Sequence, residues 1–96
     1  MSADPTAHHE LKVWPDYFDA LVSGAKPFDV RSESDRLFGV GDIVTFREFD
    51  DKAETYTGRT LTQSITYVLR GVGAGAIAPL RGVARGYVVL GFGRKL

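Results

Sequence analysis

Ninety-six residues with twelve basic and twelve acidic side chains make one small, formally neutral domain. That balance argues against a strongly electrostatic, nonspecific duplex binder, which carries a basic excess. The absence of cysteine excludes thiolate chemistry and Cys-based zinc sites, and removes any need for an oxidising compartment. An apolar content of 44% and a charged content of 25% are those of an ordinary globular chain with little core to spare at this size. No apolar run reaches the length of a membrane span, and no basic-then-apolar leader opens the chain. The expectation is a cytoplasmic protein without a membrane partner.

Residues 1–8 are polar and aperiodic and read as a disordered tail ahead of a single domain over 9–96. Residues 9–14 alternate as a first strand, with Leu11 and Val13 on one face and Lys12 and Trp14 on the other. Pro15 stops that strand and opens a helix, whose first turn tolerates a missing N–H. Tyr17, Phe18, Leu21 and Val22 recur at helical spacing as its buried stripe, and Ser23-Gly24 ends it. A short strand over 26–31 sets Lys26, Phe28 and Val30 against Pro27, Asp29 and Arg31, with Pro27 at its entrance. Its charges fit either of two readings. One is a solvated edge with exposed ion pairs, worth about 0–1 kcal/mol each; the other is a polar constellation at the mouth of a small barrel.

Residues 37–42 read as a tight turn. Residues 43–49 are the clearest strand, in which Ile43, Thr45, Arg47 and Phe49 alternate with Val44, Phe46 and Glu48. A polar hairpin connection over 50–55 leads to a return that begins at 56–59 and becomes strand-like over 61–69 through its Thr, Ile, Tyr and Val content. Residues 71–75 read as flexible, and Ile77–Leu80 as a short turn over a barrel end. The near-continuous apolar run 86–92 reads as a buried central strand. Together these indicate a compact α+β barrel.

Three motifs are set aside. Gly71-Val72-Gly73-Ala74-Gly75 lacks the Lys-Ser/Thr of a phosphate loop. His8-His9 lacks the spacing of a preformed metal site. With both histidines near the start, a Ser-His-Asp triad is a poor reading. No metal and no cofactor are expected.

The pieces His9-Glu10-Leu11-Lys12, Tyr17-Phe18, Gly24-Ala25-Lys26-Pro27-Phe28-Asp29-Val30-Arg31, Asp35-Arg36, Val40-Gly41-Asp42, Glu48-Phe49, Tyr56-Thr57-Gly58-Arg59, Ile65-Thr66-Tyr67 and Gly86-Tyr87-Val88-Val89-Leu90 resemble, in order, the DUF3850 group of small ASCH-like domains in the PUA-like superfamily. The resemblance implies a mixed β pseudo-barrel of five to six strands with one principal helix and short helical turns. It also implies a cleft between barrel and helix that holds RNA or a modified nucleotide. Lys12, Trp14, Lys26, Asp29, Arg31 and Arg59 are its candidate ligand-binding residues. Lysine and arginine suit a phosphate or a base edge, and Trp14 suits stacking on a base.

Some ASCH relatives resemble bacterial enzymes that hydrolyse the acetyl amide of N4-acetylcytidine with a Lys, a Thr three residues later and a Glu from a later segment. Lys26 matches the lysine, Asp29 stands at the threonine position, and Glu48 is the glutamate that stands in. The resemblance therefore carries two expectations: a nucleic-acid-binding module, or a hydrolase with Asp29 or Glu48 as base and Lys26 stabilising the oxyanion. A protein partner paired at an exposed β-edge is a third reading, for a chain expected to be a monomer or weak dimer.

Overall fold

A computed structural model describes residues 7–74, 77–80 and 83–95. In chain order they form β1 (His8–Val13), α1 (Pro15–Ser23), β2 (Phe28–Ser32), β3 (Ile43–Asp50), β4 (Thr55–Arg70), β5 (Val72–Ala74), β6 (Ile77–Leu80) and β7 (Tyr87–Lys95). Five strands make one mixed sheet in the order β1-β3-β4-β7-β2, and β5 and β6 form a separate antiparallel pair. Only β1 and β3 run parallel. A parallel pair needs a long crossover, and here α1 and β2 lie within it. The result is a half-barrel with one helix, the α+β pseudo-barrel anticipated above.

The sheet curls until its two edge strands, β1 and β2, approach each other without pairing. Helix α1 rests across β3. It inserts Phe18 and Leu21 into a core that includes Val44, Phe46, Ile65 and Leu90. Full burial of each such side chain contributes roughly 1.5–3 kcal/mol. The rings of Phe46 and Phe92 meet edge to face at 5.1 Å, a geometry that aromatic quadrupoles favour. Gly24 closes the helix in the left-handed region at φ 84°, its N–H donating to the Leu21 carbonyl.

The helix buries less than its periodicity suggests. Phe18 and Leu21 are inside, whereas Tyr17 and Val22 are exposed. Nine residues resting on one strand bury a narrow i, i+3 stripe, and Tyr17, one position along, is turned about 100° away from it. The tail reading also needs correcting. His8 starts β1 opposite Ile43, and His9 is buried with Nε2 donating to Asp42 Oδ2 at 2.8 Å; residues 1–6 lie outside the described residues. Ile77–Leu80 is a strand rather than a turn, and Val72–Ala74 is its partner, residue 75 lying outside the described residues. Among the described residues α1 is the only helix, and no helix is long and apolar enough to cross a membrane.

Candidate functional site

β2 turns an unusual set of side chains inward. Phe28 and Val30 are exposed, while Asp29 is only 7% exposed. Asp29 is held from both sides: Lys26 Nζ donates to Oδ1 at 2.9 Å and Arg31 Nε donates to Oδ2 at 2.6 Å. Lys26 precedes the strand proper, so its side chain is free to reach the face that strict alternation from residue 26 denies it. The reading of these charges as an exposed, solvated edge therefore fails, and the polar constellation at the barrel mouth is what the structure contains.

Arg31 also spans the gap between the sheet's edges. Its Nη2 donates to the Lys12 carbonyl oxygen at 3.1 Å. A guanidinium has five N–H donors, and these two bonds leave three available to a ligand. Beside this bridge lies a groove of about 310 Å³ lined by Lys12, Val13, Trp14 and Tyr17 on one side and by Asp29, Val30 and Arg31 on the other. Trp14 precedes α1 and Tyr17 lies in its first turn. Their rings are 6.4 Å apart and tilted by 38°, and they are 52% and 51% exposed. Lys26 Nζ sits 5.3 Å from the Tyr17 ring centre and 5.2 Å from that of Phe28, a cation–π arrangement that fixes it at the groove's end. Lys12 lies with Nζ 4.6 Å over the Phe49 ring.

Glu48 and Arg59 belong to a different cluster. The β3–β4 ladder pairs Arg47 with Thr60 and Phe49 with Tyr56, so Thr57, Gly58 and Arg59 stand opposite Glu48 alone. Gly58, at φ 94°, supplies the left-handed turn that this bulge needs. The bulge brings both flanking side chains to one carboxylate. Thr57 Oγ1 donates to Glu48 Oε1 at 2.7 Å, and Arg59 Nε lies 3.6 Å from the same oxygen. Arg59 Nη2 reaches Asp19 Oδ1 on the helix at 3.0 Å, and its guanidinium carbon covers the Phe18 ring at 4.7 Å. Glu48 is 4% exposed and so depends on these partners for compensation of its charge.

Of the residues singled out in the sequence, Lys12, Trp14, Asp29 and Arg31 therefore share one groove, and Lys26 lines the depression that adjoins it at Tyr17 and Asp29. Glu48 and Arg59 pair with each other beneath and beside the helix, and no hydrogen bond or ion pair joins either to Lys26, Asp29 or Arg31. Two participants escaped the sequence reading. Tyr17 was assigned to the helix core, although its i, i+3 spacing from Trp14 places the two rings as neighbours. Thr57 carried a signal in its Thr-Gly-Arg context, where glycine between two polar residues in a strand marks a bulge.

Among the described residues no group of three His, Cys, Asp or Glu side chains is arranged to hold a metal ion. No curated protein matches the chain. The family described as "Domain of unknown function (DUF3850)" matches residues 8–92, a span that runs from the first strand into the last and includes every residue of the groove. The chain belongs to the DUF3850 family.

Proposed function

We propose that this protein binds single-stranded RNA or a nucleotide in the groove between β1 and β2. The observation that carries the reading is the exposed Trp14–Tyr17 pair facing the part-buried Arg31 across a groove of about 310 Å³. Exposed rings of this kind cost hydration in the free protein and offer a platform on which any base can stack, worth roughly 1–3 kcal/mol per base. Arg31, held in place by Asp29 and the Lys12 carbonyl, presents its remaining N–H groups to a phosphate or a base edge. A volume near the low end of small-ligand sites suits one unpaired nucleotide, and a duplex is too wide for it. The resemblance to ASCH-like domains points to the same cleft.

The hydrolase reading has less support. It needs a carboxylate base and an oxyanion stabiliser on one substrate, and Glu48 is committed to Thr57 and Arg59 in the other cluster. That leaves Lys26 and Asp29, which neutralise each other at 2.9 Å. A partner strand is disfavoured at the five-stranded sheet, because the free edges of β1 and β2 face each other across the groove that Arg31 bridges.

The test is a titration that follows the emission of Trp14, the single tryptophan. Single-stranded RNA quenches it saturably, more weakly at higher salt and in Arg31→Ala, whereas duplex RNA has no effect. Equal responses to single-stranded and duplex RNA contradict the reading, as does the absence of any response to both RNAs and to uridine monophosphate.

A further inference from the structure

The groove does not end at Arg31. On one side it continues past Tyr17 to Lys26. On the other, sharing Lys12 and Arg31, it opens into a second depression bounded by Ser32 at the end of β2 and by Arg36 and Phe38 of the β2–β3 connection, where three cationic residues, Lys12, Arg31 and Arg36, meet two carboxylates, Glu10 and Asp35. The ion pair that Arg36 makes is loose: its Nε lies 4.0 Å from Asp35 Oδ1, beyond hydrogen-bond distance. The second carboxylate of the depression, Glu10 on β1, faces Arg47 at 3.8 Å.

The loop that carries Arg36 is pinned at both ends. Arg70 donates from Nε and Nη2 to the two carboxylate oxygens of Glu33, at 3.0 and 3.2 Å, and also to the Phe38 carbonyl. Glu33 Oε2 accepts from the Phe38 N–H at 2.9 Å, and the Phe38 ring is buried against His9. Arg36 thus projects from a short arm with fixed ends.

The far side of Trp14 has the opposite charge. There a cavity bounded by Trp14, Pro15 and Tyr17 is otherwise lined by Asp16, Asp50, Asp51 and Lys52, three carboxylates against one ammonium. A phosphate is favoured on the Arg31–Arg36 side of the tryptophan and repelled on the other.

Resting on the groove reading above, we infer that Arg36 is a phosphate-binding residue and that the groove takes a terminal nucleotide. Its base lies at Trp14 and Tyr17, its phosphate lies toward Arg31 and Arg36, and no further nucleotide follows past Trp14. The ligand is either a free nucleotide or the end of a strand. A strand threading through the site would carry phosphates into the acidic cavity.

The experiment is equilibrium dialysis of wild type, Arg36→Ala and Lys52→Ala. The ligands are uridine, uridine monophosphate, a linear uridine hexamer with a terminal phosphate, and the circular hexamer. Equal melting temperatures of the three proteins establish that the variants are folded. One charge-assisted contact predicts that the monophosphate binds wild type about tenfold more tightly than uridine. That ratio falls to about twofold in Arg36→Ala and is unchanged in Lys52→Ala, and the circular hexamer binds at least about tenfold more weakly than the linear one. An undiminished ratio in Arg36→Ala, or equal binding of linear and circular hexamers, overturns this inference and leaves the groove reading standing. No binding of any of the four ligands to wild type overturns both. A linear hexamer that binds more tightly than the monophosphate identifies a strand end as the source, and equal affinities identify the nucleotide.

Discussion

Arg31 of one edge strand, β2, donates to the carbonyl oxygen of Lys12 on the other, β1, at 3.1 Å, although the two strands do not pair. A side chain therefore closes what backbone pairing leaves open, and the same side chain is held at its base by Asp29. At the mouth of the half-barrel the two edge strands are thus joined by one side chain rather than by strand pairing.

Asp29 should be costly to remove. Asp29→Ala leaves Lys26 and Arg31, both largely buried, facing each other without their shared carboxylate. Breaking a buried pair costs about 3–5 kcal/mol, and partial exposure of both cations brings this to roughly 2–3. In a domain of this size that lowers the melting temperature by on the order of 10–20 °C. Thermal unfolding checks the prediction. A loss of less than about 1 kcal/mol shows that the pair is solvated.

Trp14 should behave in the opposite manner. With half its surface already exposed, Trp14→Ala changes stability by less than about 0.5–1 kcal/mol. It weakens binding of single-stranded RNA by about tenfold or more. Denaturation and dialysis measured on the same variant separate the two effects. Large destabilisation with intact binding makes Trp14 a packing residue.

These two residues also show how far the sequence could be read. β3 and β7 were legible because one alternates cleanly and the other is almost continuously apolar. The turn from helix to β2 was legible through Gly24. The inward face of β2 was not, because alternation gives two faces without saying which is buried. A strand whose inner positions are Asp29 and Arg31 is the reverse of the usual case. His9 was visible in principle: it lies at period two with Leu11 and Val13 and is buried with them. The adjacent His8 and the polar start of the chain hid it. β4 is one sixteen-residue strand but reads as two pieces, because the bulge at Gly58 interrupts its pattern. Glu48 and Arg59 are far enough apart in sequence that only this bulge reveals their pairing, which is why they were grouped with the groove residues.

Gly58→Ala tests the bulge. Nothing obstructs the added Cβ, but its φ of 94° strains any L-residue. The cost is about 1–2 kcal/mol. Relaxation of the bulge withdraws Thr57 and Arg59 from Glu48, so Glu48→Gln in the same background costs less than it does in wild type. A double-mutant cycle followed by urea unfolding measures this coupling. Strict additivity contradicts the account.

Gly71 should not accept a side chain. A Cβ there would run into the Ala84 carbonyl oxygen, while the Gly71 N–H donates to the Tyr87 carbonyl at 2.9 Å. Gly71→Ala must displace backbone, at a cost of about 1–3 kcal/mol. Hydrogen exchange checks where: protection falls at residues 71 and 87 and is kept at Phe46. Uniform protection at all three sites would show that the close approach is relieved without cost.

The central claim is that the ligand lies in the seam between β1 and β2. Amide chemical-shift mapping during titration with single-stranded RNA tests it most directly. The predicted result is a set of saturable shifts concentrated at Lys12, Trp14, Tyr17, Asp29 and Arg31. Shifts centred instead on the outer β3–β4 surface, where Arg47 stacks on Tyr56 at 4.3 Å, or the absence of any saturable shift, would contradict it.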